Sequence, residues 1–234
     1  MSARLLLVRH GQTVWHAENR YCGISDVALT DAGERQAEAL GRWAAGHAGA
    51  HGIQAVACSP LSRARRTAAP AARALGVAPV VHEGLREADF GWGEGRTIAE
   101  MTAEDPGLVR AFQQDAERGA FPGSEPPAAV AGRVCGALRE LAAAHEGGTA
   151  LVVAHNTAFR VALCALFGIP LGRYRQVLPR LENAAVTEIE LDGAPGGRAA
   201  LRSLNVPTGE SAAPASGVAG ASEAYRPPSA TTPR

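Results

Sequence analysis

Two runs of aliphatic residues, far apart in the chain and each ending in a histidine, constrain most what this sequence can fold into. Arg4-Leu5-Leu6-Leu7-Val8 leads into Arg9-His10-Gly11-Gln12-Thr13, and Ala150-Leu151-Val152-Val153-Ala154 leads into His155-Asn156-Thr157. Short apolar runs stopped by polar turns read as buried strands. In α/β sheets the carboxyl ends of such strands carry the chemistry, so both imidazoles are expected at one sheet edge.

Between them, Val56-Ala57-Cys58 followed by Ser59-Pro60 predicts a third strand, a turn and a helix start, with Arg63 in the first helical turn. Leu85 to Gly95 places Glu87 in a Gly-rich loop. The pair Arg9-His10 sets a forked, permanent cation beside an imidazole, a combination suited to a phosphoryl group.

The remaining pattern is that of one α/β domain. Thr30 is a good N-cap, and Ala37, Leu40, Gly41 and Ala44 recur at helical spacing until Gly46 and Gly49 are expected to break the helix. His47 and His51 then fall in a solvated connection, and His82 reads as a surface residue. Helices are predicted over 97–101, 106–114 and 127–145, a half-buried strand over 185–191, and a hairpin partner over 201–204. Residues 207–234 are rich in Pro, Ala, Ser, Gly and Thr and predict a disordered tail, in which Tyr225 and Arg226 have no assigned role.

Composition removes several alternatives. The 23 basic residues balance the 23 acidic ones, so bulk charge argues for neither a nucleic-acid nor a membrane partner. Every basic residue is arginine. Without lysine there is no Schiff-base chemistry and no Walker A loop. The four cysteines form no CxxC pair and read as free thiols, with no metal site expected. No apolar stretch reaches membrane-span length and the first strand begins too early for a signal peptide, so a cytoplasmic location is expected.

At these motifs the chain resembles the histidine phosphatase superfamily, which includes cofactor-dependent phosphoglycerate mutases and related phosphatases. The resemblance covers about residues 4–205. It rests on Arg9 to Thr13, the region from Arg20 to Thr30 with Gly23 and Asp26, Ser59 to Ala68, Leu85 to Gly95, and Val153 to Arg160. It implies a three-layer α/β/α sandwich with a mostly parallel central sheet and a small helical cap insertion at about 97–126. The catalytic domain then spans 1–206.

The resemblance further implies His10 as nucleophile, Glu87 as proton donor, and Arg9, Arg63 and His155 as the phosphate-binding set, with no cofactor and no metal. His16, Gly23 and Asn156 are expected to touch substrate. Cationic crowding should keep His10 neutral, as a nucleophile requires. Glu87 would protonate the leaving oxygen and later accept a proton from water. Two residues depart from the family pattern. His16 stands where an Asn is usual, and Asn156 where a Gly is usual; the Asn156 side chain should narrow the pocket.

The expected activity is metal-independent hydrolysis of a small phosphomonoester through a phosphohistidine. A mutase-type phosphotransferase and a non-catalytic phosphate-binding protein are the alternatives. The absence of lysine and the acidic surroundings of Arg110 and Arg118 favour the phosphatase. The apolar helix faces are not assigned to core or interface, which leaves the oligomeric state open.

Overall fold

A computed structural model describes residues 2–209 of the chain. Most of the expected tail, residues 210–234, lies outside the described residues, but Thr208 is buried and its hydroxyl donates to the Ala184 carbonyl at 2.9 Å. The folded unit therefore extends past Val206.

Six strands form one sheet: β1 (Ser2–Arg9), β2 (Ile53–Cys58), β3 (Val80–Val81), β4 (Thr149–Ala154), β5 (Val186–Asp192) and β6 (Ala199–Val206). Their order is β3-β2-β4-β1-β5-β6, parallel from β3 to β1, with β5 antiparallel to β1 and β6 antiparallel to β5. The helices are α1 (Val14–Ala17), α2 (Asp31–His51), α3 (Ser62–Leu75), α4 (Ile98–Glu104), α5 (Pro106–Gln114), α6 (Pro127–Ala144), α7 (Asn156–Leu166) and α8 (Tyr174–Val177).

Alternation along the strands builds two cores. Leu6, Val8, Leu151 and Val153 face α2 and α3. Leu5, Leu7, Val152 and Ala154 face α6 and α7. This makes the fold a three-layer sandwich, and it explains why β1 and β4 are unbroken aliphatic runs: helices cover both of their faces.

Two expectations are corrected. Helix α2 continues through Gly46 and Gly49 to His51, so His47 and His51 lie in the helix rather than in a connection. Each glycine costs only about 1 kcal/mol relative to alanine in a helix, and the surrounding alanines carry the element through. Residues 97–126 are packed into the sandwich rather than standing off it as a free cap. Their Met101, Phe112 and Phe121 join the core on the α6–α7 face. Among the described residues, no helix is long and apolar enough to cross a membrane.

Candidate active site

Register brings the strand-end residues together. Arg9 of β1 pairs with Ala154 of β4, and Cys58 of β2 pairs with Val153. One residue further on, the His10 amide donates to the Ala154 carbonyl at 2.9 Å, and the Ser59 amide donates to the Val153 carbonyl at 3.0 Å. The ring centroids of His10 and His155 lie 5.2 Å apart, edge to face, and those of His10 and His16 lie 5.6 Å apart.

Local hydrogen bonds fix these groups. Nδ1 of His10 lies 2.8 Å from the Gly11 carbonyl; a carbonyl only accepts, so Nδ1 carries the proton and Nε2 keeps its lone pair. The Gly11 amide donates to Thr67 Oγ1 at 3.0 Å, which ties the loop to α3. Gly11 is required there, because a Cβ would lie 2.6 Å from the Gly33 carbonyl oxygen. His155 is fully buried, with Nε2 at 2.7 Å from Ser59 Oγ.

The two predicted arginines are held differently. Arg9 donates to the Leu181 carbonyl at 2.8 Å and touches Nε2 of His16 through its other terminal nitrogen. Arg63, 0% exposed, donates to the carbonyls of Ser25 at 2.7 Å and Gly23 at 2.6 Å. Both of its terminal nitrogens are thereby occupied.

Three buried side-chain nitrogens have no partner among the described residues: Nε of Arg9, Nε of Arg63 and Nδ1 of His155. An unsatisfied buried polar atom is costly, and native proteins retain few. All three belong to the set that the resemblance implies for phosphate.

His16 faces donors on both sides. The Thr13 amide donates to its Nδ1 at 2.8 Å, while the Arg9 guanidinium meets its Nε2. A neutral imidazole accepts at one nitrogen only, so one of these contacts opposes two donors. An anionic acceptor between Arg9 and His16 would resolve that conflict.

Electrostatics favour neutral rings. Burial, then His155, Arg63, His16 and Arg9 hold His10 well below the ordinary histidine value. Burial, then Arg63, Arg133 and Arg9 do the same to His155. Burial, then Arg9, Arg63 and Arg180 lower His16 to about 2.

Glu87 is 4% exposed and caps α7. Its carboxylate accepts the amides of Ala88 at 2.9 Å, Thr157 at 3.0 Å and Ala158 at 2.8 Å. Neither Arg86 nor Arg96 pairs with it; they pair with Glu83 and Glu104. An open pocket of about 330 Å³ has Arg9, His10, His16, Glu87 and Asn156 on its wall. Arg63 and His155 lie behind this wall, in contact with His10 only electrostatically and through ring packing.

Gly23 offers substrate no free backbone group. Its amide is taken by Glu94 at 2.9 Å and its carbonyl by Arg63, and a Cβ would lie 2.4 Å from the Ala88 carbonyl oxygen. This corrects the expectation of a substrate contact: Gly23 supports Arg63. Asn156 begins α7 without a left-handed backbone, and its Oδ1 accepts the Leu181 amide at 3.0 Å.

The outer wall comes from Tyr21, Arg160, Arg175 and Pro179, with no residue of 97–126. The expected cap therefore does not line the pocket. Sequence reasoning also missed Arg133, which braces the Glu87 loop, and Arg175; neither carries a local signal.

The chain matches the model of the histidine phosphatase superfamily, branch 1, over residues 5–206. It is 39% identical over 191 residues to the bifunctional protein Rv2228c of Mycobacterium tuberculosis, covering 82% of this chain and 51% of that protein. The chain thus spans about half the length of that relative. It is 33% identical over 192 residues to a probable phosphoglycerate mutase GpmB of Erwinia tasmaniensis, covering 82% of this chain and 86% of that one. Among solved structures, the mycobacterial glucosyl-3-phosphoglycerate phosphatase Rv2419c superposes with a TM-score of 0.78 at 28% identity, over 88% of this chain and 100% of that one. A phosphoserine phosphatase of Entamoeba histolytica, in complex with 3-phosphoglyceric acid, gives 0.71 at 25% identity, over 87% and 96%.

Proposed function

The chain belongs to the histidine phosphatase superfamily, and from that premise we propose that it is a metal-independent phosphomonoester hydrolase working through a phosphohistidine on His10. One observation carries the reading: Arg9, Arg63 and His155 each keep an unpartnered buried nitrogen and all three act electrostatically on His10, whose Nδ1 proton leaves the Nε2 lone pair free.

In the first step, Nε2 of His10 attacks phosphorus and the ester P–O bond breaks. Glu87, in its acid form, gives a proton to the leaving oxygen. In the second step, Glu87 takes a proton from water as that water attacks the phosphohistidine, releasing inorganic phosphate and restoring both residues. Charge on the equatorial oxygens is met by Arg9 on the pocket wall, with Arg63 and the His155 ring adding their field from behind it. These guanidinium groups supply the positive charge that a metal ion gives in other phosphatases.

Hydrolysis is favoured over mutase chemistry because the pocket is open and no residue of 97–126 lines it. The substrate class is a small phosphorylated organic ester, and the catalytic domain extends to at least Thr208.

The test is release of inorganic phosphate from p-nitrophenyl phosphate with and without a chelator. Turnover that survives chelation and vanishes in His10→Ala supports the reading. Dependence on a divalent metal, or vanadate binding without turnover, refutes it. Transfer to an added phosphoglycerate without net phosphate release would identify a mutase.

A further inference from the structure

Arg63 sits behind the pocket wall on a long side chain, and two carbonyls of an irregular segment aim it. Nη1 donates to the Ser25 carbonyl at 2.7 Å and Nη2 to that of Gly23 at 2.6 Å. Residues 23–25 belong to no helix or strand, so no backbone ladder holds those carbonyls in place.

Glu94 does what a ladder would. Its carboxylate accepts the Gly23 amide at 2.9 Å and the Ser25 amide at 3.0 Å. The same two residues therefore turn their N–H groups to a carboxylate and their carbonyls to a guanidinium, and charge assistance strengthens both sets of hydrogen bonds. The fit is close: a Cβ on Gly23 would lie 2.6 Å from Glu94 Oε2. Glu94 is itself anchored, because the Gly95 amide donates to the Tyr21 carbonyl and the Tyr21 amide to the Arg96 carbonyl, each at 2.9 Å. On the far side, Asp26 accepts the Ser62 amide at 3.1 Å, which ties the segment to α3 one residue before Arg63.

Neither Glu94 nor any of residues 23–25 lines the pocket. An effect of Glu94 on the anion must therefore be transmitted, and its two amide contacts lead to Arg63. Arg63 acts on both His10 and His155. A Coulombic effect changes with distance, so the aim of the guanidinium matters.

We propose that Glu94 is a positioning residue that aims Arg63 through residues 23–25. The inference rests on the phosphomonoester reading above and adds to it the device that keeps a buried cation trained on the phosphate.

Two variants grade the effect. Glu94→Ala removes both acceptors, whereas Glu94→Gln keeps Oε1, which both amides reach at 3.0 Å, but sets an amide nitrogen against the Gly23 N–H. Affinity for inorganic phosphate, by titration calorimetry, and kcat/KM for p-nitrophenyl phosphate should both fall about tenfold in Glu94→Ala and less in Glu94→Gln. In Arg63→Lys, whose ammonium cannot fork to two carbonyls, adding Glu94→Ala should change phosphate affinity by less than about threefold.

A direct reading of the side chain separates positioning from stability. The Arg63 Nε–H, identified in N–H NMR spectra by its disappearance in Arg63→Lys, should be as rigid as the backbone in the native protein and should lose order in Glu94→Ala. Equal order in that variant, or a full tenfold loss of affinity on the Arg63→Lys background, overturns the proposal and leaves Glu94 a role in stability alone. If Glu94→Ala does not fold, Glu94→Gln carries the same comparisons. If p-nitrophenyl phosphate is not hydrolysed, the hydrolase reading fails by itself, and phosphate affinity with the Nε–H signal still decides the role of Glu94. If phosphate does not bind either, the Nε–H signal decides it alone.

Discussion

Arg133 holds the backbone of Glu87 in place, donating from Nη2 to the Glu87 carbonyl at 2.9 Å. The same guanidinium donates to the carbonyls of Gly84 at 3.0 Å and Arg86 at 2.6 Å, and closes on both oxygens of Glu125 at 2.7 Å. One side chain of α6 thus fixes the loop that presents Glu87, and Glu125 fixes that side chain. Arg133→Met is expected to lower stability by about 3 kcal/mol, since it leaves carbonyls and a carboxylate without their donor. It should also slow hydrolysis of an alkyl phosphate more than that of an aryl phosphate, because only the alkyl leaving group needs the proton from Glu87. Urea denaturation with paired kinetics checks both; an equal fall on the two substrates would leave Arg133 a role in stability alone.

Glu87→Gln tests the proton donor itself. Both carboxylate oxygens accept backbone N–H groups, so the amide nitrogen of Gln must oppose at least one of them. The variant should lose about 1–3 kcal/mol of stability for that unmatched contact. On an alkyl phosphate, kcat should fall about 100- to 10,000-fold, the usual contribution of a positioned acid. On p-nitrophenyl phosphate, whose leaving group departs without a proton, the loss should be at least tenfold smaller. Equal losses on both esters would remove Glu87 from the acid role.

Acid should unfold this protein through its histidines. Burial comes first among the causes that keep His10 and His155 well below 6.5 and His16 at about 2. In the unfolded chain they titrate near the ordinary value, so below about pH 6.5 the unfolded state binds more protons than the folded one. Stability present above that pH is lost as pH falls, by about 1.4 kcal/mol per unit for each ring. Urea midpoints should therefore drop between pH 7.5 and 5.5. His16→Asn should show a smaller drop, by about 1.4 kcal/mol over that range. An identical drop in the variant would mean that His16 titrates normally.

The sheet edge could be read from sequence because Leu5 to Val8 and Leu151 to Ala154 are buried on both faces, and few non-strand conformations accommodate such runs. Parallel pairing of β1 with β4 then fixes where His10 and His155 meet. The pocket wall was not legible. Tyr21, Arg160 of α7 and Arg175 of α8 meet only through the packing of elements distant in the chain, and no local period marks them. Residues 97–126 misled for a related reason. Their aromatics could cover a pocket or fill a core, and Phe112 and Phe121 fill the core around Tyr21, with ring centroids 6.0 Å from it. The role of Arg133 was hidden because carbonyl acceptors are present in every loop.

Asn156 and Arg9 are coupled through one peptide unit. The Leu181 amide donates to Asn156 Oδ1 at 3.0 Å, and the Leu181 carbonyl accepts from Arg9 at 2.8 Å. The Asn side chain thereby pins the segment that orients the guanidinium, in addition to occupying space on the pocket wall. Asn156→Gly should cost about 1 kcal/mol of stability for the lost hydrogen bond, plus a similar amount for glycine in the first turn of α7. Loosening Leu181 should weaken the hold on Arg9, so KM should rise several-fold for every phosphomonoester, with a smaller change in kcat. Pocket width should move in parallel: bulkier esters gain relative to small ones if the Asn side chain also narrows the entrance. Asn156→Asp separates the two effects, because the carboxylate still accepts the Leu181 amide and keeps the volume but adds a negative charge near the phosphate. It should raise KM without altering the order of preference among esters. A substrate profile unchanged in Asn156→Gly would confine Asn156 to holding Leu181.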